Sequence, residues 1–180
     1  MSIDNNIRLF IGSYINLPFF KDNYSNFQNE FDGVTFGKWV EGENLHFTYF
    51  FIGDFPSFKL NQLTETISKI TCLHRSELTF KGLDCFPNKY NPRVLNVPIY
   101  DPNGILKKIY TEICNEMKKF SIKSDNHSFK PHLTLQRIKE IDKSRFNLQF
   151  DKFRNFNFGS VEEFKVDLIS SELTRSGPIY

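Results

Sequence analysis

His-x-Thr occurs twice in this 180-residue chain, as His46-Phe47-Thr48 and as His132-Leu133-Thr134, each time inside an apolar run that reads as a β-strand. Side chains alternate faces along a strand, so the imidazole and the hydroxyl two residues on point the same way. Two such strands meeting across a cleft set two imidazoles and two hydroxyls around one small anion. Few folds satisfy that demand. With four histidines and nine threonines in 180 residues, chance alone gives two or more such hits with a probability of roughly 0.015. The two copies stand 86 residues apart (132 − 46), both in strand-like runs. His74 and His127 lack the pattern.

The bulk properties set bounds around this pair. The length suits one domain, residues 1–180, or two small lobes sharing an interface. Twenty-one phenylalanines point to an aromatic core rather than to ligand platforms. A net charge of +2 and a pI near 8.4 are too mild for a duplex-DNA binder, and they suit a small anionic ligand or an RNA end. Cys72, Cys85 and Cys114 are odd in number and show no CxxC spacing. They argue against a zinc site or a disulfide framework and for a reducing cytosol. The N-terminal Met1-Ser2-Ile3-Asp4-Asn5-Asn6 has no signal-peptide pattern, and no apolar run approaches the ~20 residues of a membrane span. A soluble cytoplasmic protein is expected.

Periodicity predicts strands over residues 7–15, 45–52, 77–83, 93–99, 132–138 and 164–170. A short helix is expected over 21–31, stopped near Gly33. Leu60, Leu63, Ile67, Ile70 and Leu73 recur at helical spacing, which predicts an amphipathic helix over 60–73. Asp101-Pro102 reads as an N-cap acid followed by proline at the first helical position. The apolar stripe Ile105, Ile109, Ile113, Met117 and Phe120 follows it. Lys118 and Lys119 sit in the last turn, where the helix dipole favours cations. The order is that of a mixed α+β protein in which each half repeats a strand–helix–strand unit ending at a His-x-Thr strand.

Such a site suits acid–base chemistry at a phosphodiester without a metal or other cofactor. In-line opening of a 2′,3′-cyclic phosphate takes a proton from water on one side of phosphorus and gives one to the departing ribose oxygen on the other. Two imidazoles, one neutral and one protonated, do this near neutral pH. Thr48 and Thr134 donate to the non-bridging oxygens, where charge accumulates. Arg137 lies five residues past His132. It falls on the opposite face of a regular strand and joins the site only if the strand twists or bulges; a plain strand-edge arginine is the other reading. Lys130 and Lys139 either guide an RNA end or are solvated surface charge.

The surrounding residues resemble the RNA 2′,3′-cyclic phosphodiesterases, also called 2′-5′ RNA ligases, of the two-histidine phosphoesterase superfamily. The resemblance runs along nearly the whole chain. It includes Arg8-Leu9-Phe10-Ile11, Asn44-Leu45-His46-Phe47-Thr48, Gly82-Leu83-Asp84-Cys85-Phe86-Pro87 and Pro131-His132-Leu133-Thr134-Leu135-Gln136-Arg137. It implies an α+β fold of two pseudo-symmetric lobes, mostly antiparallel sheet with outer helices, and a cleft carrying one His-x-Thr strand from each lobe. It also implies His46 as proton donor, His132 as proton acceptor, and Thr48 and Thr134 on the phosphate; no metal and no cofactor are expected, and Arg137 stays a further candidate for the phosphate. The implied partner is RNA with a 2′,3′-cyclic phosphate end, tRNA halves among them, met by a monomer away from membranes. Reversible 2′-5′ joining belongs to the same resemblance. Tyr49 replaces the usual aliphatic residue of the first motif, and Gln136 stands where a small residue is common. A nucleotide- or RNA-end-binding module without catalysis, and a phosphodiesterase for 2′-5′ oligonucleotides or another cyclic phosphate, remain alternatives.

Overall fold

The computed structural model describes residues 6–123, 128–174 and 177–179; His127 lies outside them. In chain order the elements are β1 (Asn6–Tyr14), α1 (Pro18–Asn29), β2 (Thr35–Trp39), β3 (His46–Pro56), α2 (Leu60–Ile67), β4 (Leu73–Lys81), β5 (Asp84–Phe86) and β6 (Val94–Tyr100). They continue with α3 (Ile105–Lys118), β7 (His132–Ile141), α4 (Lys143–Lys152), β8 (Asn157–Lys165), β9 (Asp167–Ser170) and a hairpin of β10 (Glu172–Thr174) with β11 (Gly177–Ile179).

Two larger antiparallel sheets form. One has the order β3-β1-β9; the other runs β2-β7-β6-β4-β8, with β5 added on β6. The motif strands β3 and β7 therefore belong to different sheets, and they meet across the gap between them. The lobes are not the two halves of the chain. β2 comes from the first half yet pairs with β7, while β9 comes from the far end yet pairs with β1. Helices cross in the same sense: α1 packs on β8, and α3 packs on β3.

The phenylalanines are mostly core, as expected. α1 buries Phe20, Tyr24 and Phe27, which meet rings from the other end of the chain. Phe27 and Phe153 lie 4.9 Å apart, and Phe20 stacks on Phe158 at 5.5 Å. Each fully buried aromatic contributes about 1.5–3 kcal/mol, so this cluster fastens α1 to the second sheet.

Several expected boundaries move. The helix over 60–73 ends at Ile67, because a turn at Ser68–Ile70 leads into β4 and leaves Leu73 exposed. Asp101 does not begin α3 with Pro102 at its first position. Residues 101–104 form a turn ending at Gly104 with φ of 66°, and the Asp101 carboxylate accepts the Leu106 N–H at 2.8 Å from outside it. The strand over 164–170 splits at Val166, whose N–H is donated to the Cys72 carbonyl.

Candidate active site

His46 opens β3 and His132 opens β7, and the two strands have the same anatomy. In each, His and Thr are half-buried, the residue between them is buried, two successive buried residues follow, and the next is exposed. The doubled burial is a β-bulge, one extra residue on the motif strand against its neighbour. On β3 the pairs Gly12–Thr48 and Ile11–Phe50 leave Tyr49 as the extra residue. On β7 the pairs Asn96–Thr134 and Leu95–Gln136 leave Leu135.

The bulge decides the place of Arg137. A regular strand sends it to the core face; the extra residue returns it to the face of His132 and Thr134. The Leu135 carbonyl is held by the Val40 N–H at 2.8 Å and by the Tyr24 hydroxyl at 3.2 Å, so the core itself pins the irregularity. By the same geometry Phe51, five residues past His46, stands where Arg137 stands past His132, and it is 60% exposed.

A cleft of about 590 Å³ brings together His46, Thr48, His132, Thr134 and Arg137. Every site residue read from the sequence lines it. Lys130 lies instead along a neighbouring cavity, and Lys139 lines neither. Residues the sequence reading passed over also line the cleft, chiefly Arg8, Lys38 and Phe51. Phe51 was open to detection through its five-residue offset from His46. Lys38 was not, because only strand register sets it directly across from Arg137.

Both imidazoles are fixed alike. His46 Nδ1 lies 2.7 Å from the Asn44 carbonyl oxygen, and His132 Nδ1 lies 2.7 Å from that of Lys130. A carbonyl only accepts, so Nδ1 carries a proton in each ring and Nε2 is the nitrogen left for proton transfer. Phe10 packs on His46 with centroids 5.0 Å apart, and Phe86 meets His132 edge-on at 4.7 Å.

Burial lowers the pKa of both histidines. Their backbone acceptors pull the other way, and the Arg137 guanidinium lowers both further. One arginine thus lies near enough to act on both rings. Asp84 raises the pKa of His132, whereas His46 feels His132 as a further lowering charge. The two rings therefore differ in their charged surroundings. The amide of Asn96, 1% exposed and paired with Thr134 across β6–β7, has no hydrogen-bond partner among the described residues.

The chain is similar to known proteins along most of its length. A family described as "AKAP7 2'5' RNA ligase-like domain" matches residues 57–180. A protein of Aquifex aeolicus named RNA 2′,3′-cyclic phosphodiesterase is 32% identical over 176 residues, covering 97% of this chain and 93% of its own length. The chain belongs to this family. A protein of the same name from Archaeoglobus fulgidus is 33% identical over 151 residues, 84% of each chain. Among solved structures, TT0787 of Thermus thermophilus superposes with a TM-score of 0.74 at 21% identity, covering 97% of this chain and 93% of that one. Escherichia coli LigT complexed with 3′-AMP gives 0.73 at 20% identity, covering 97% and 94%. These two likenesses establish the mixed α+β fold with mostly antiparallel sheets.

Proposed function

We propose that this chain hydrolyses RNA 2′,3′-cyclic phosphate ends to 2′-phosphomonoesters by acid–base catalysis with two histidines. The observation that carries the reading is the matched pair of imidazoles, each with Nδ1 tied to a carbonyl two residues back, in one cleft with two threonines and an arginine. The kinship with proteins named RNA 2′,3′-cyclic phosphodiesterase supports the substrate class.

In this reading neutral His132 takes a proton from water through Nε2 as the water oxygen bonds to phosphorus. The bond from phosphorus to the ribose 3′ oxygen breaks in line, and the His46 imidazolium gives its Nε2 proton to that oxygen. Asp84 steadies the imidazolium formed on His132. Thr48, Thr134 and Arg137 bind the non-bridging oxygens, which gain charge in the transition state. Replacing water by the 5′ hydroxyl of a second RNA at the same position, with the same P–O3′ bond breaking, gives reversible 2′-5′ joining, with tRNA halves as the natural ends.

Residues 1–180 act as one two-lobed domain and as a monomer, since a single chain supplies both histidines. Three free thiols suit a cytoplasmic setting. No helix among the described residues is long and apolar enough to cross a membrane.

Product analysis tests the reaction. Cytidine 2′,3′-cyclic phosphate incubated with the protein in excess EDTA should yield the 2′-monophosphate, resolved from the 3′ isomer by chromatography. Formation of the 3′ isomer, or loss of activity to the chelator, contradicts the mechanism. Binding of nucleotide with no turnover of any cyclic phosphate supports the binding-module alternative.

A further inference from the structure

Two openings of unlike chemistry meet at the histidine pair. Thr48, Phe51 and His132 line both. One is the cleft described above, where Arg8, Lys38 and Arg137 face a single acid among the described residues, Glu41. The other is a cavity of about 520 Å³ walled largely by rings, among them Tyr49, Phe86, Tyr110 and Phe129. Tyr110 and Phe129 stack with centroids 4.5 Å apart and planes within 4° of parallel. Tyr49 extends that column at 6.0 Å and 17°. Beyond the shared Thr48 and His132 and the hydroxyls of Tyr49 and Tyr110, the polar side chains there among the described residues are Ser128 and Lys130.

The register of the β2–β7 pair sets Lys38 directly across from Arg137, and both line the cleft. Arg8 reaches the same cleft from β1 of the other sheet, with its residue exposed. Cations converging from two sheets suit a phosphate lying between them. The ring-walled cavity, by contrast, suits a base of any identity.

We infer that the site is built for an RNA end at least two nucleotides long and holds it in one polarity. The terminal base enters the aromatic cavity and the cyclic phosphate lies between the imidazoles. The phosphodiester on the 5′ side of the terminal nucleotide lies toward Arg8 and Lys38, with Arg137 between the two phosphates. This inference rests on the proposed hydrolysis of cyclic phosphate ends. A mononucleoside cyclic phosphate has a base and a reacting phosphate but no 5′ phosphodiester, so it leaves the Arg8–Lys38 side unused.

The test compares kcat/KM for cytidine 2′,3′-cyclic phosphate with that for a cytidylyl dinucleotide ending in a 2′,3′-cyclic phosphate. At low ionic strength the dinucleotide should be preferred by about tenfold or more, and added salt should erode the preference because its source is phosphate–cation contact. Arg8→Ala should lower the dinucleotide-to-mononucleotide ratio several-fold, and Arg8→Lys should restore most of it. Phe129→Leu should raise KM for both substrates and leave their ratio in place. Circular dichroism confirms folding of each variant. Equal kcat/KM for the two substrates, or a ratio indifferent to Arg8→Ala, overturns the two-sided site while leaving the hydrolytic reading intact. Failure to hydrolyse either substrate overturns that reading and the inference with it.

Discussion

The two imidazoles share a backbone anchor but not a neighbourhood, and single-residue changes separate their roles. Both pKa values are lowered, chiefly by burial. If His132 must be neutral and His46 protonated, kcat/KM should follow a bell centred on the acid side of pH 6.5, with limbs belonging to the coupled pair. Asp84 raises the pKa of His132, so Asp84→Asn should carry one limb of the profile to lower pH. A profile that stays in place shows that Asp84 does not act on the pair. Thr48→Val and Thr134→Val should each lower kcat by about 10²-fold, as loss of a donor to developing charge does, with KM changing far less. Steady-state kinetics on each variant reads both quantities. The histidines and threonines were legible in the sequence because alternation along a strand converts a two-residue spacing into a shared face. Asp84 and Lys38 were not legible, since they reach the site through pairing across strands, and pairing leaves no mark in a linear pattern.

At the scale of elements, the bulge on β7 makes Arg137 part of the site. Arg137→Ala should reduce kcat/KM by about tenfold or more, the range for a charged donor removed from developing charge. Lys139→Ala, two residues on and outside the cleft, should remain within about twofold, as surface changes do. The Tyr24 hydroxyl sits 2.9 Å from the Val40 carbonyl and 3.2 Å from that of Leu135. Burial raises its pKa strongly, so it stays a donor. Tyr24→Phe should cost about 1 kcal/mol of stability, a typical buried hydrogen bond, measured by urea unfolding. It should also lower activity through the bulge, and unchanged kinetics would detach the bulge from catalysis.

The elements legible in advance had strong patterns. α3 buries Leu106, Ile109, Ile113 and Met117, a full helical stripe. α4 buries only Phe146 and Phe150, too thin a stripe to announce a helix. β2 buries only Thr35, with Phe36, Gly37 and Lys38 exposed, too little apolar alternation to announce a strand.

For the whole molecule, the crossing of β2, β9, α1 and α3 between sheets means that neither lobe is a contiguous piece of chain. Alternation of strands and helices revealed the α+β class but not this exchange, since the pattern fixes which face of an element is apolar and not which sheet receives it. Burying two histidines ties stability to pH. Their folded pKa values lie below the unfolded value near 6.5, so the unfolded chain binds more protons in between. Their stabilising contribution is full above pH 6.5 and is lost as pH falls through the folded values. The melting temperature should therefore drop on acidification from pH 7.5 to 5.5 by less in a His46→Gln/His132→Gln double variant than in the natural chain. An equal drop would place the coupling elsewhere.

The proposed reaction has His46 and His132 acting together on one phosphate. It is tested most directly by single-turnover hydrolysis of a cytidylyl dinucleotide 2′,3′-cyclic phosphate with His46→Ala, His132→Ala and the double variant, each shown folded by circular dichroism. Each single change should slow the chemical step by about 10²–10⁴-fold, and the double variant should be scarcely slower than either, as expected of groups that function as a unit. Near-normal turnover in either single variant would contradict the two-imidazole mechanism.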